Sequence, residues 1–149
     1  VWGELVLQGK AGSRFADELV TASAEMIRAR WPMDPRPTWV TCIPSLRHPE
    51  LVPDFAQRLA KELGLRFLPA LVKTRPTDEQ KGMENRYYQC HNLDGAFAVQ
   101  ASRGDIGDPV LLVDDVFDSG WTMTLASALL RQAGSGQVYP FALATTTAK

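Results

Sequence analysis

The segment Val113-Asp114-Asp115-Val116-Phe117-Asp118-Ser119-Gly120-Trp121-Thr122 concentrates the residue types that do chemistry. Two adjacent carboxylates, Asp114 and Asp115, follow the aliphatic run Val110-Leu111-Leu112-Val113. Turned inward and unpaired they would be costly, so they must reach water, a cation or sugar hydroxyls. A vicinal diol suits such a pair. The stretch Asp118-Ser119-Gly120-Trp121-Thr122 then supplies a glycine for close backbone approach and two hydroxyl donors. It also brings free N–H groups at the start of a helix, which together make an anion site. A diol beside a phosphate describes a ribose 5-phosphate. The plainer reading is a helix start alone, with Ser119 or Thr122 as its N-cap. Trp121 has two readings, packing in the core against the following helix or stacking on a ligand.

These residues need elements to position them. Apolar positions over 15–28 and over 51–63 recur at helical spacing, and Gly64 stands where a left-handed C-cap belongs. A third helix is predicted over 123–133, closed by Gly134-Ser135-Gly136. Strands are predicted over 38–43, between Pro37 and Pro44, and over 66–72, 96–99, 109–113 and 138–144. Strands alternating with helices imply an α/β fold with a parallel sheet and right-handed crossovers. In such sheets the ligand sits beyond the carboxyl ends of the strands, where Asp114 to Thr122 lie. Residues 73–92 are charged, polar and poor in apolar side chains, so they read as a long exposed flexible loop, a lid, binding loop or solvated segment.

The chain has 149 residues, 45% of them hydrophobic and 22% charged, with a formal charge of −1. That fits one domain of about 100–200 residues and excludes a disordered chain or a polybasic nucleic-acid coat. No apolar run approaches the roughly 20 residues that span a bilayer, and the first residues lack a signal-peptide layout. The expectation is a cytoplasmic protein without a membrane partner. A start on Val1 rather than Met suggests a domain excised from a longer chain. Cys42 and Cys90 stand alone, and His48 and His91 do not complete a metal-ligand spacing with them. Cys42, in an apolar strand, reads as a buried inert thiol, and both histidines read as surface residues.

The string Val110 to Thr122 resembles the phosphoribosyl-pyrophosphate (PRPP) binding motif of type I phosphoribosyltransferases: aliphatic strand, acidic pair, two apolar residues, then a T/S-G-x-T phosphate loop. The resemblance implies a three-layer, Rossmann-like fold with a central, mostly parallel sheet and a small or reduced hood. It implies that Asp114 and Asp115 hold the ribose 2- and 3-hydroxyls. Mg²⁺ would be carried near them by PRPP rather than bound directly by the protein. Asp118, Ser119, Gly120, Trp121 and Thr122 would form the 5-phosphate loop, with Asp118 also a candidate general base toward the acceptor. Trp121 departs from the small or basic residue common at its place. Pro44-Ser45-Leu46-Arg47 stands where the family carries its pyrophosphate loop, Arg47 offering bidentate donors to the leaving diphosphate.

Residues 73–86 and Asn92-Leu93-Asp94-Gly95-Ala96-Phe97 resemble the flexible loop of the competence-associated, ComF-like members. Lys73, Arg75, Lys81 and Arg86 are the cations implied to meet phosphate oxygens there, with Gln80 and Asn92 pinning the loop. Three further segments, 2–10, 39–47 and 138–143, resemble the phosphoribosyltransferase-type domain appended to some bacterial RecQ-like DNA helicases. No G-x-x-x-x-G-K-[ST] occurs, so any ATPase would lie outside these residues.

Two functions follow from the resemblance. The first is Mg²⁺-dependent transfer of a 5-phosphoribosyl group from PRPP to a nitrogen base, with pyrophosphate leaving. The second is a non-catalytic PRPP or nucleotide sensor attached to a DNA helicase or DNA-uptake system. The expected partners are PRPP or a nucleoside monophosphate, a fused helicase domain acting on DNA, and a second copy in a homodimer. Direct nucleic-acid binding is disfavoured by the charge of −1 and the scattered basic residues.

Overall fold

The computed structural model describes residues 2–12, 14–45, 48–73, 97–101, 103–118 and 120–145. In chain order these form α1 (Trp2–Gly12), α2 (Asp17–Arg30), β1 (Trp39–Cys42), α3 (Leu51–Leu63), β2 (Arg66–Phe67), β3 (Leu71–Lys73), β4 (Phe97–Val99), the single turn α4 (Arg103–Ile106), β5 (Val110–Phe117), α5 (Trp121–Gln132) and β6 (Val138–Thr145). Apart from Lys73, the long loop expected over 73–92 lies outside the described residues.

Four strands make a parallel sheet in the order β2-β1-β5-β6. Val110, Leu111, Leu112 and Val113 of β5 are wholly buried, as a strand covered on both faces must be. Each such side chain contributes about 1.5–3 kcal/mol by leaving water. Because side chains alternate along a strand, Leu111 and Val113 join one core with α2 and α3, while Val110 and Leu112 join a second with α5 and the β3–β4 pair. The result is helices on both faces of one sheet.

Helix α3 has the predicted limits because its buried stripe, Leu51, Val52, Phe55, Ala56, Leu59 and Ala60, faces the sheet and its end is sharply closed. Gly64 takes a left-handed φ of 75°, and Leu65 N donates to the Ala60 carbonyl at 2.8 Å.

Two expectations need correction. The strand predicted over 66–72 is two strands. Pro69 has no N–H to offer a ladder, so β2 stops at Phe67 beside β1, and the chain leaves the sheet. It re-forms as β3, antiparallel to β4. The second concerns residues 2–12, to which the sequence reading assigned no element and which form α1. Gly3, Gly9 and Gly12 make this a poor helix former, and tertiary contacts hold it instead. Trp2 Nε1 donates to the Leu143 carbonyl at 2.6 Å, and Val6 and Gly9 are buried.

Gly9 is required by space. A Cβ there would stand 2.3 Å from Cδ1 of Phe15, which is wholly buried and packs edge-on against Phe55 at 5.7 Å. Gly9→Ala is therefore expected to cost about 1–3 kcal/mol, as overpacking does. Gly12→Ala, with nothing within 4 Å of the new carbon, serves as the control and should lose no stability. Thermal unfolding of both variants checks this, and equal melting temperatures would contradict the packing argument.

Candidate functional site

The chain leaves β1 through α3 toward β2 on one side, and leaves β5 through α5 toward β6 on the other. The topological switch therefore falls between β1 and β5, and a crevice opens beyond their carboxyl ends. Pairing of β5 with β1 ends at Cys42↔Val113, whereas pairing with β6 continues to Phe117↔Thr145. Ile43 N still donates to the Val113 carbonyl at 2.9 Å, and then Pro44 turns the chain away with no N–H to offer. From Asp114 onward one side of β5 is uncovered by β1. The acidic pair, expected directly after the strand, is thus within it, on the stretch that loses its neighbour.

Asp114 lines a cleft of about 120 Å³ with Val116, Phe117, Asp118, Gly120, Thr122 and Met123. The N-terminus of α5 opens into it. Gly120 is the N-cap, at a φ of 86° that favours glycine, and a Cβ there would lie 3.1 Å from the Phe117 ring. Thr122, expected as a possible cap, thus lies inside the helix, and Ser119 lies outside the described residues. The N-cap glycine has no side chain to cap the helix, and the first turn of α5 holds no acidic residue, so the positive end of its dipole suits an anion.

The two carboxylates are tied into the backbone. Asp115 N donates to Asp114 Oδ1 at 2.8 Å, and Val116 N to Asp115 Oδ1 at 2.7 Å. Burial pushes the Asp114 carboxyl up from 3.8 to about 7, with the Asp115 charge and a hydrogen bond between the two carboxyl groups acting in the same direction. Lys10 of α1 opposes this, its Nζ standing 3.4 Å from Asp115 Oδ2. Below the pair, burial pushes the Cys42 thiol up to about 12, and Asp114 adds to the shift. Cys42 is thereby the buried, inert thiol that the sequence suggested.

Of the residues singled out from the sequence, Asp114, Asp118, Gly120 and Thr122 come together in the cleft, and Asp115 adjoins it. Pro44 and Ser45 follow β1, with Ser45 Oγ accepting from His48 N at 3.2 Å. Trp121 is 38% exposed at the first position of α5, which corrects its reading as a core residue. Lys73 ends β3, with its Nζ 5.3 Å from the Phe97 ring centre. Ser119, Leu46, Arg47, Arg75, Lys81, Arg86, Cys90 and His91 lie outside the described residues. Lys10 escaped the sequence reading, since nothing local links it to a carboxylate far along the chain.

No family model matches the sequence, and no curated protein does. Solved structures do. A purine phosphoribosyltransferase from Pyrococcus horikoshii Ot3 superposes with a TM-score of 0.53 at 19% identity, over 87% of this chain and 71% of its own. Adenine phosphoribosyltransferase from Giardia lamblia, complexed with 9-deazaadenine, gives 0.55 at 18% identity, over 96% and 84%. The glutamine PRPP amidotransferase from B. subtilis, complexed with ADP and GMP, gives 0.59 at 18% identity. The fold is that of the type I phosphoribosyltransferases. The match covers 84% of this chain but only 26% of the amidotransferase's length. The strand bearing Asp114 lies inside the sheet, between β1 and β6, and the expected α/β architecture with a parallel sheet is the one observed.

The raised Asp114 carboxyl makes stability depend on pH. The folded state holds this proton more tightly than the unfolded chain, so its contribution favours folding at low pH and is lost as pH rises from about 4 through 7. Asp114→Asn removes the titration. Its melting temperature is expected to rise relative to the parent's between pH 4 and pH 8; a gap that stays constant over that range would contradict the assignment.

Proposed function

We propose that this chain binds a 5-phosphoribosyl group, as PRPP with Mg²⁺ or as a nucleoside monophosphate, and transfers it from PRPP to a nitrogen base as pyrophosphate leaves. The observation that carries this reading is the meeting of Asp114 with the glycine-started N-terminus of α5 in one cleft at the switch between β1 and β5. A carboxylate suits a sugar diol, and helix amides suit a phosphate. The cleft's 120 Å³ is well under the roughly 300–1,000 Å³ of a site that encloses a whole small-molecule ligand. It fits a phosphate-sized group, leaving sugar and base toward the open crevice.

In this reading Asp114 and Asp115 accept hydrogen bonds from the 2- and 3-hydroxyls and orient the ring. The backbone amides at Gly120 and Thr122, with the Thr122 and Ser119 hydroxyls, hold the 5-phosphate. Asp118, exposed at the cleft, takes a proton from the acceptor nitrogen as the new bond to the sugar forms. Arg47, with Pro44, Ser45 and Leu46, would receive the diphosphate, as the motif resemblance implies. Mg²⁺ takes one or two carboxylates plus substrate phosphates and keeps several waters, so a site offering two aspartates fits an ion that arrives on the diphosphate. When bound, it neutralises charge on the leaving group.

A second reading is a sensor that binds PRPP or a nucleotide without turnover, and the small cleft, which encloses one group only, favours it. The sequence resemblances further support a ComF-like domain, cytoplasmic, linked to a RecQ-like helicase acting on DNA, and a homodimer. No helix among the described residues is long and apolar enough to cross a membrane.

Calorimetry with PRPP and Mg²⁺, followed by a panel of free bases with pyrophosphate monitored, separates the readings. Binding with release identifies a transferase, and binding without release a sensor. The double variant Asp114→Asn with Asp115→Asn is expected to keep the fold, by circular dichroism, and lose PRPP binding; undiminished affinity would reject the diol assignment. Asp118→Asn is expected to bind as the parent does while slowing transfer by about 10²–10⁴-fold, the range of general base catalysis. An unchanged rate would remove Asp118 as the base.

A further inference from the structure

We propose that Lys10 of α1 is a positioning residue for the diol-binding carboxylates, fixing Asp115 from the side of the sheet away from the phosphate cleft. The inference rests on the ribose phosphate reading above and adds to it a residue outside the acidic pair and the phosphate loop. Lys10 Nζ forms an ion pair with Asp115 Oδ2 at 3.4 Å, while Asp115 Oδ1 accepts from the N–H of Val116 at 2.7 Å. One oxygen of Asp115 is thus hydrogen-bonded and the other ion-paired, which restricts its carboxylate beside Asp114. Preorganisation of this kind strengthens binding by removing the cost of ordering a side chain when the ligand arrives.

Lys10 can do this because its helix is held at both ends. Near one end, Trp2 Nε1 donates to the Leu143 carbonyl of β6 at 2.6 Å. Near the other, Gly9 packs against the Phe15 ring and its carbonyl accepts from Arg14 N at 3.0 Å. Lys10 follows the buried Gly9 directly, so the close approach that only glycine permits at that position delivers the ammonium to the sheet's carboxyl edge. The pair is partly shielded, with side-chain exposures of 36% for Lys10 and 19% for Asp115. The ammonium also favours the ionised form of the neighbouring Asp114. Charged carboxylates are the stronger acceptors for sugar hydroxyls.

The role predicts a split between two ligands that a structural defect would not produce. Inorganic phosphate tests the α5 terminus alone, and ribose 5-phosphate tests that terminus plus the diol. In calorimetry at neutral pH, Lys10→Met is expected to weaken ribose 5-phosphate by about fivefold, the scale of a partly exposed ion pair. It is expected to leave inorganic phosphate unchanged, and Lys10→Arg is expected to restore the parent affinity. Unchanged ribose 5-phosphate affinity in Lys10→Met, an equal loss of both ligands, or failure of the arginine to restore binding each overturns the role of Lys10. A parent chain that binds inorganic phosphate but gains nothing from the ribose overturns instead the diol reading on which this inference stands.

Discussion

The site depends on a mismatch in strand length. β5 runs on from Asp114 to Phe117 with β6 still beside it, after Pro44 has taken β1 out of the sheet. A strand that loses one neighbour exposes backbone donors and acceptors that must be satisfied. Here Asp114 meets part of that need by accepting from the N–H of Asp115. The residue that repairs the sheet edge therefore also carries charge into the cleft. The tight turn at Gly120 then brings the start of α5 against them, so that acceptors and donors lie within one cleft.

Placing this charge at the end of a buried strand works against stability. Asp114 is largely removed from water next to a second carboxylate, and both effects push its carboxyl up. Folds tolerate such local conflict where a ligand resolves it, and the surrounding core supplies the compensation. The fully buried Val110 to Val113 and Trp39 lie immediately before the acidic pair in β5 and at the start of β1. Together with α3 and α5 they hold the strand ends rigid. Rigid support from regular elements is what keeps a site of a few polar groups in register.

Much of this was legible in the sequence. The aliphatic run, the acidic pair and the glycine turn are contiguous, so local pattern was enough to place Asp114, Asp118, Gly120 and Thr122 near one another. Helix α3 could be read to the residue because its apolar stripe and its glycine cap agree. What escaped depends on contacts distant in sequence. Helix α1, weakened by its glycines, exists through Trp2 on β6 and Gly9 on Phe15, and its Lys10 meets Asp115 only once the chain has folded. The break at Pro69 divided one apolar run into two sheets, and Trp121 shows that a large aromatic beside a helix start need not point inward.

The central claim is that the start of α5 and the end of β5 together receive a ribose phosphate. Amide NMR of the chain titrated with ribose 5-phosphate tests it residue by residue. The account predicts saturable shifts of the Gly120, Thr122 and Met123 amides together with those of Asp114 and Asp115. Shifts confined to the open groove beside Arg58 and Lys61 on α3, or none at all, would contradict it.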